Sequence, residues 1–407
     1  MAGRPLHALL LPPAAGASRL LDALAAALDG TGPAILPLDP RLPRARVTDL
    51  LHAFSPAALE TPEGAERWRP TTAIAMPAGS GAGLPDDVAV VIATSGSTGE
   101  PKGVQLSATA LVHSARASLS RLGARPGERW LCPLPTSHIA GLGVLVRSLV
   151  AGTAPVVTDR LDPRELGAPG CAFVSVVPTQ LRRMLDAGAG LAAFRAILAG
   201  GAAVPGSLLA QARAAGARVV TTYGMSETCG GCVYDGVPLD GVTVRAAADG
   251  LLRISGPVLM NRYRGGPDLG DEFVTSDLGY VRDGRVVVRG RADDVINTGG
   301  HKVVPGEVAA VLESCPGVLE VVVVGRADPE WGQRVTAVVV PADPADPPSL
   351  ELLRTHVSKR LPRYACPSEV VLTRAIPVLA SGKPDLASLK AAGTLRGWEQ
   401  SPARSVN

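Results

Sequence analysis

Aromatic residues make up only 3% of this 407-residue chain, so its interior must be filled by alanine, valine and leucine rather than by stacked rings. Long apolar runs are lacking as well. The one near the start, Leu6 to Leu11, is cut by Pro12 and Pro13 before it takes signal-peptide form, and no stretch is long and apolar enough to span a bilayer. Nor is there an excess of one charge. The 40 basic and 37 acidic residues leave a net +3 with no run of Lys or Arg, which speaks against nucleic acid or an anionic membrane as partner. Six cysteines without regular spacing give no disulfide framework, and a cytoplasmic setting with reduced thiols is expected. Only Cys229 and Cys232, separated by a pair of glycines, invite chemistry. Zinc would need a second ligand pair that the chain does not supply, so small residues lining a wall are expected there.

What is present suffices for more than one core. A hydrophobic fraction of 46% is ordinary for a soluble globular protein, and the length exceeds the usual size of a single core, so two unequal domains are expected. The first sixty or so residues carry an Ala/Leu helical pattern from Leu20 to Leu28 and short Pro-punctuated pieces, with no sign of a site; 67–87 is Pro/Gly-rich, as in a surface connection. From Val88 to Thr222 short apolar runs alternate with helical patterns, the spacing of βαβ units around a largely parallel sheet. After about Asp235 short β-runs take over, and Asp283-Gly284 marks a hairpin. From Val295 a second mixed pattern begins, with helices at 305–314 and 350–361 and strands near 318–324, 335–340 and 370–373. The expected fold class is α/β: a large N-terminal domain, 1–291, of mainly parallel sheets layered with helices plus a small β unit, then a smaller, mobile α+β C-terminal domain, 292–407. The tail after about 393 is polar, and disorder is expected there.

In parallel sheets of this kind ligands gather at the carboxyl ends of strands, and the candidate motifs fall there. Val88 to Ile92 leads into Ala93-Thr94-Ser95-Gly96-Ser97-Thr98-Gly99-Glu100-Pro101-Lys102-Gly103, with a helical pattern from about Ser107. Glycines, hydroxyls and an ammonium so closely spaced can cradle a polyphosphate. It is not the Walker pattern, because Pro101 and Gly103 stand where a Gly and a Ser or Thr should flank the Lys, and GxGxxG fails as well. Farther on come His138, Gly200-Gly201, and Thr221-Thr222-Tyr223-Gly224-Met225-Ser226-Glu227-Thr228, which offers an aromatic face, hydroxyls and a carboxylate. A lone carboxylate plus phosphate oxygens suits Mg²⁺. Then follow Thr275-Ser276-Asp277-Leu278-Gly279, the segment from Gly290 to Glu307, and Ser381-Gly382-Lys383.

In this order the motifs resemble those of the adenylate-forming superfamily, which includes acyl-CoA and aryl-CoA ligases, firefly luciferase and the adenylation domains of peptide synthetases. The resemblance runs from Ala93 to Lys383. It implies that Thr94, Ser95, Gly96, Ser97, Thr98, Gly99 and Lys102 hold the phosphates of ATP, and that Gly200, Gly201, Thr222, Tyr223, Gly224 and Ser226 line the nucleotide, with Tyr223 stacked on adenine. It further implies that Glu227 holds Mg²⁺, that Asp277 and Arg291 meet the ribose, that Asp293 is a hinge, that Gly299 and Gly300 let the pantetheine of CoA pass, and that Lys383 bridges the reacting carboxylate and the α-phosphate. Ser276 departs from the usual T-G-D, and no Arg follows Lys383 where one is common. A narrower set, Pro135 to Arg147, Val177-Pro-Thr-Gln-Leu181 and Thr222 to Tyr234, looks like the o-succinylbenzoate–CoA ligases of menaquinone biosynthesis, in the compact actinobacterial form with a trimmed N-terminal region. His138 then resembles the gate beside the acyl pocket.

The reaction so implied has two steps: a carboxylate attacks the α-phosphorus of ATP, giving acyl-AMP and pyrophosphate, and the thiol of CoA then displaces AMP. ATP, Mg²⁺ and CoA are the expected cofactors and co-substrates, a small carboxylic acid the partner, and Thr94, His138, Glu227 and Lys383 the catalytic group. On the helical pattern after His138, the spacing of Ala140, Val144 and Arg147 puts them on a common face. Arg147, in an otherwise apolar helix, is the candidate counter-ion for the second carboxylate of o-succinylbenzoate, with Thr222 also at the acid; an arginine that snorkels to solvent or pairs with an Asp or Glu is the structural alternative. A ligase for another aryl or fatty acid, and a catalytically inactive nucleotide-binding module, are the alternatives. No motif decides the oligomeric state, and a homodimer is left open.

Overall fold

The computed structural model describes residues 3–67, 83–95, 100–162, 170–379 and 382–391. Gly96, Ser97, Thr98, Gly99, Ser381 and the tail after 391 lie outside these residues, as does most of the expected connection at 67–87.

Two seven-stranded sheets form the larger body. In the first, Leu6–Leu9 lies between Ala34–Pro37 and Ala58–Thr61, and Val88–Ser95 pairs with Ala34–Pro37, all in parallel. These first strands are four residues long, too short to show a period, and a parallel sheet covered on both faces reads as continuous apolar sequence.

One expectation is corrected here. Val88–Ser95 does not pass directly toward a helix; it folds back on Pro101–Ser107 in antiparallel pairing, with Thr94 opposite Lys102 and Ser95 opposite Pro101. The phosphate-loop sequence therefore spans a hairpin rather than a strand-to-helix loop. Proline is tolerated at the first residue of a strand, and the buried Val104 and Leu106 hold the return strand against the core. The helix Ala108–Leu122 begins only after it, where Ser107 Oγ accepts the N–H of Ala110 at 3.1 Å.

The second sheet places Arg129–Cys132, Cys171–Val176, Ala196–Ala199 and Val219–Met225 side by side in parallel, and Gly230–Tyr234 returns antiparallel beside the last of them. Helices Ala17–Leu28, Ala108–Leu122 and Ile139–Val150 fill the space between the two sheets. Leu24, Leu111, Leu142 and Leu145 are buried there, each contributing about 1.5–3 kcal/mol relative to an exposed side chain. With so few aromatics, the stacked pair Trp130 and Phe173, 4.8 Å between centroids, marks the centre of the core. Helix Arg44–Phe54 packs into a cluster with the first sheet's other face, and Pro178–Asp186 and Gly206–Ala214 do so with the second's.

A four-stranded antiparallel sheet follows, Thr243–Ala246, Leu251–Ser255, Glu272–Arg282 and Arg285–Arg291. Its last turn is the expected Asp283-Gly284, with φ of +52° and +71°, the left-handed pair that a tight hairpin demands. The remaining sheet, containing Ile296–Thr298, His301–Val303, Val318–Asp328, Gly332–Pro341 and Glu369–Leu372, has its own core around Val308, Leu312, Leu353 and Val357. It meets the larger body where Glu313 Oε2 accepts the N–H of Gly206 at 3.2 Å, and where Glu307 pairs with Arg289 at 2.6 Å. Among the described residues no helix is long and apolar enough to cross a membrane.

Candidate active site

The strand Val219–Met225 runs past the expected end at Thr222, so Tyr223 and Gly224 are strand residues. The register to Gly230–Tyr234 shifts between them, and a Cβ on Gly224 would collide with the carbonyl oxygen of Gly230. Only glycine lets the two backbones approach so closely. Tyr223 donates its hydroxyl proton to Asp277 Oδ2 at 2.7 Å. Asp277 is buried within the strand Glu272–Arg282. Its other oxygen lies 3.6 Å from Arg291 Nη1, and Arg291 Nη2 reaches Asp293 at 2.9 Å. Burial, with the Asp277 carboxylate beside it, pushes the Tyr223 phenol well above its ordinary value, so it stays a donor. A cavity of about 160 Å³ opens beside this chain of contacts, lined by Thr222, Tyr223, Ala202, Val204, Val233 and Val286. Gly200 and Gly201 follow the neighbouring strand Ala196–Ala199, and Gly200 packs so close to Thr222 that a Cβ would strike its hydroxyl.

Glu227 sits in the short turn Ser226–Thr228, held by Thr228 Oγ1, which accepts the N–H of Met225 at 2.9 Å. Glu227 Oε1 accepts the hydroxyl of Tyr263 at 2.7 Å, and Lys102 Nζ lies 5.3 Å from the centre of the same ring. Thr94 Oγ1 donates to the carbonyl of Lys102 at 3.3 Å. The described residues contain no group of three or more metal-ligating side chains. A single carboxylate therefore fits a Mg²⁺ ion that arrives with phosphate oxygens, and does not fit an all-protein cage.

Lys383 follows Gly382, whose φ is +79° and where a Cβ would come within 2.6 Å of Val177. Val177 stands at the carboxyl end of Cys171–Val176, so the turn delivers the exposed Lys383 to that end of the parallel sheet. Lys383 is close enough to His138 to affect its charge. Burial lowers the His138 pKa, Asp39 opposes the shift, and Lys383 and Arg41 reinforce it. Asp39 takes Arg41 Nε at 2.9 Å and Nη2 at 2.8 Å. This pair comes from the N-terminal region where no site was expected; its only sequence signal is Asp39-Pro40-Arg41 just beyond an apolar run.

Arg147 lies over the Trp130 ring, 4.3 Å to the centroid, and donates to Ser175 Oγ at 3.2 Å. Its Nε is shielded from solvent with no hydrogen-bond partner, and among the described residues no carboxylate pairs with it. Burial lowers its pKa and pushes the neighbouring Cys132 thiol up to about 11. Ala140, expected on the same lining face, is exposed, whereas Val144 is buried. Gly299 and Gly300 form the turn between Ile296–Thr298 and His301–Val303, with a Cβ on Gly299 meeting the Trp331 ring at 2.5 Å. Among the described residues no hydrogen bond or ion pair joins this turn to Lys383, Glu227 or Tyr223. Cys229 and Cys232 are buried, and burial pushes the Cys232 thiol up to about 11, the setting of inert wall residues.

Residues 23–252 match the family model for AMP-binding enzyme, and 307–383 match that for AMP-binding enzyme C-terminal domain. The chain belongs to the AMP-binding enzyme family. A probable 2-succinylbenzoate–CoA ligase of Mycobacterium tuberculosis is 46% identical over 326 residues, covering 75% of this chain and 85% of that protein. Among solved structures, the Bacillus subtilis o-succinylbenzoate CoA synthetase in complex with the acyl-adenylate intermediate OSB-AMP superimposes with a TM-score of 0.77 at 27% identity, over 97% of this chain and 90% of that one. The same Bacillus subtilis enzyme with ATP and magnesium ion gives 0.75 at 26%, over 96% and 90%. In this AMP-binding enzyme the second family match ends at Lys383 itself, and the first spans the hairpin, His138 and Glu227.

Proposed function

We propose that this AMP-binding enzyme is an o-succinylbenzoate–CoA ligase of menaquinone biosynthesis, with ATP and CoA as co-substrates and Mg²⁺ as cofactor. The observation that carries the acid specificity is Arg147. The residue is half-buried, but its Nε is out of water and among the described residues no carboxylate pairs with it, and a charge so placed costs free energy that an apolar side chain would not. Trp130 and Ser175 offset part of that cost, and a carboxylate brought by the substrate would supply the missing partner. The benzoate carboxylate of o-succinylbenzoate is such a group, leaving the succinyl carboxylate to react.

The residues divide the work by position. Tyr223 and the cavity beside it receive adenine, Asp277 and Arg291 the ribose hydroxyls, and Thr94, Ser95 and Lys102 the outer phosphates. Glu227 holds Mg²⁺, which when bound neutralises charge on the phosphate oxygens. Lys383, brought to the strand ends by the Gly382 turn, faces the charge that builds as the succinyl carboxylate oxygen attacks the α-phosphorus and pyrophosphate leaves. In the second step the CoA sulfur bonds to the acyl carbon, the bond to AMP oxygen breaks, and the thiol proton goes to solvent. Gly299 and Gly300 give the pantetheine arm passage, and residues 292–407 form a domain that turns about Asp293 between the steps. A cytoplasmic location accompanies this reading.

The test is a panel of carboxylic acids assayed for thioester formation dependent on both ATP and CoA. o-Succinylbenzoate should lead the panel. A better aryl or fatty acid would replace the substrate while keeping the reaction class, and no pyrophosphate release with any acid would reject the ligase reading.

A further inference from the structure

We propose that Tyr263 is a positioning residue, a spacer that holds the Glu227 carboxylate at its hydroxyl and the Lys102 ammonium at its ring face so that both face a single magnesium–polyphosphate group. This rests on the reading of Glu227 and Lys102 given above. Tyr263 lies in the two-residue strand Arg262–Tyr263 at the edge of the first sheet, opposite Val104 of the hairpin strand that carries Lys102. Backbone bonds pin the segment on both sides: Met260 N–H to the Glu227 carbonyl at 2.9 Å, Asn261 N–H to the Gln105 carbonyl at 2.9 Å, and Arg264 N–H to the Gly103 carbonyl at 2.7 Å. The ring is thus built between a turn of the second sheet and a hairpin of the first.

Its two ends act on two different charges. The hydroxyl commits its proton to Glu227 Oε1 at 2.7 Å, while Oε2 takes no protein donor among the described residues. The ring face holds Lys102 Nζ at 5.3 Å, inside the range of a cation–π contact. Among the described residues Lys102 forms no ion pair. One ring touches both groups, and an ammonium and a carboxylate that paired with each other instead would be lost to the ligand. The aromatic spacer prevents that at little entropic cost, because a tyrosine ring has few torsions to fix.

Tyr263→Phe removes the hydroxyl and keeps the ring; Tyr263→Leu removes both. Calorimetry should measure ATP binding with Mg²⁺ and with the metal chelated, and pyrophosphate release should be followed against free Mg²⁺. For Tyr263→Phe the Mg²⁺ needed for half-maximal release should rise about tenfold, the scale of one hydrogen bond to a charged group, while metal-free ATP affinity stays within about twofold. Tyr263→Leu should also weaken metal-free ATP about fivefold, as Lys102 loses its platform. Equal weakening of metal-bound and metal-free ATP by Tyr263→Phe, or an unchanged Mg²⁺ requirement in a variant that melts at the native temperature, overturns the proposal. Glu227→Gln separates the levels: if it leaves the Mg²⁺ requirement unchanged, the role of Glu227 falls, and if it raises the requirement while Tyr263→Phe does not, only the role of Tyr263 falls.

Discussion

Two cations assigned to the proposed reaction are built in opposite ways. Arg147 is carried by the core helix Ile139–Val150, its guanidinium laid on Trp130 and bonded to Ser175. Lys383 is exposed, on a turn of the smaller body, and its approach depends on how Gly382 meets Val177. A cation that recognises an unreacting part of the substrate is wanted in both half-reactions and can be fixed in the core. One that serves a single half-reaction must be removable. On the proposed roles, packing against the core goes with recognition, and exposure on a second body with a step that is switched on and off.

Arg147→Met tests the packed half of that contrast. It should cost about 2–5 kcal/mol in kcat/KM with o-succinylbenzoate, the usual loss when a buried charge loses its partner. With 4-oxo-4-phenylbutanoate, which lacks the ring carboxylate, the same change should do little harm or some good. Measuring kcat/KM for both acids with both proteins decides it, and a parallel loss would make Arg147 structural.

Lys383→Ala tests the exposed half. Acyl-AMP formation, followed as pyrophosphate release, should fall on the order of 10²–10³-fold, as when one preorganised donor is removed from developing charge. Thioester formation from supplied acyl-AMP should hardly change. Equal loss in both steps would remove the distinction between the two cations.

Asp293→Pro asks whether the smaller body must move. Asp293 lies in the 3₁₀ turn Ala292–Asp294, whose φ range of about −50 to −70° suits proline, so the orientation that presents Lys383 should be held. Adenylation should persist, while CoA transfer should drop by at least about tenfold if it needs a hinge rotation. Asp293→Ala controls for the lost contact to Arg291, and normal transfer in the proline variant would exclude residue 293 as the hinge.

The contrast was half legible in the sequence. Arg147 could be found because an arginine at helical spacing in an apolar run conflicts with the run, and such conflicts are visible locally. The hairpin between Val88–Ser95 and Pro101–Ser107 was not legible, since Pro101-Lys102-Gly103 has the composition of a loop and only the partner strand makes it β. Tyr263 was missed for a different reason. Its partners are Glu227 and Lys102, and neither is near it in the chain, so nothing local distinguishes it from any half-buried tyrosine. Asp39 and Arg41 escaped likewise, their neighbour His138 lying in another sheet's connection.

The smallest expected effect is also the one that reads the distance between the two bodies directly. His138 is lowered from its ordinary value of 6.5 chiefly by burial, with Asp39 raising it and Lys383 and Arg41 lowering it further. Because the folded value lies below the unfolded one, the unfolded chain binds more protons, and stability rises with pH across that interval. The contribution of His138 to stability is complete above about pH 6.5 and is lost as pH falls through the folded value. Lys383→Ala removes a like charge and should move the His138 titration upward, whereas Asp39→Asn removes the opposing carboxylate and should move it downward. Both shifts can be followed by NMR of the imidazole ring. An upward shift in Lys383→Ala places the ammonium beside His138 in solution, as Gly382 against Val177 requires. If His138 does not respond to Lys383, while Asp39→Asn still moves it, the smaller body spends its time turned away from the strand ends, and the exposed cation must be brought in by the substrate.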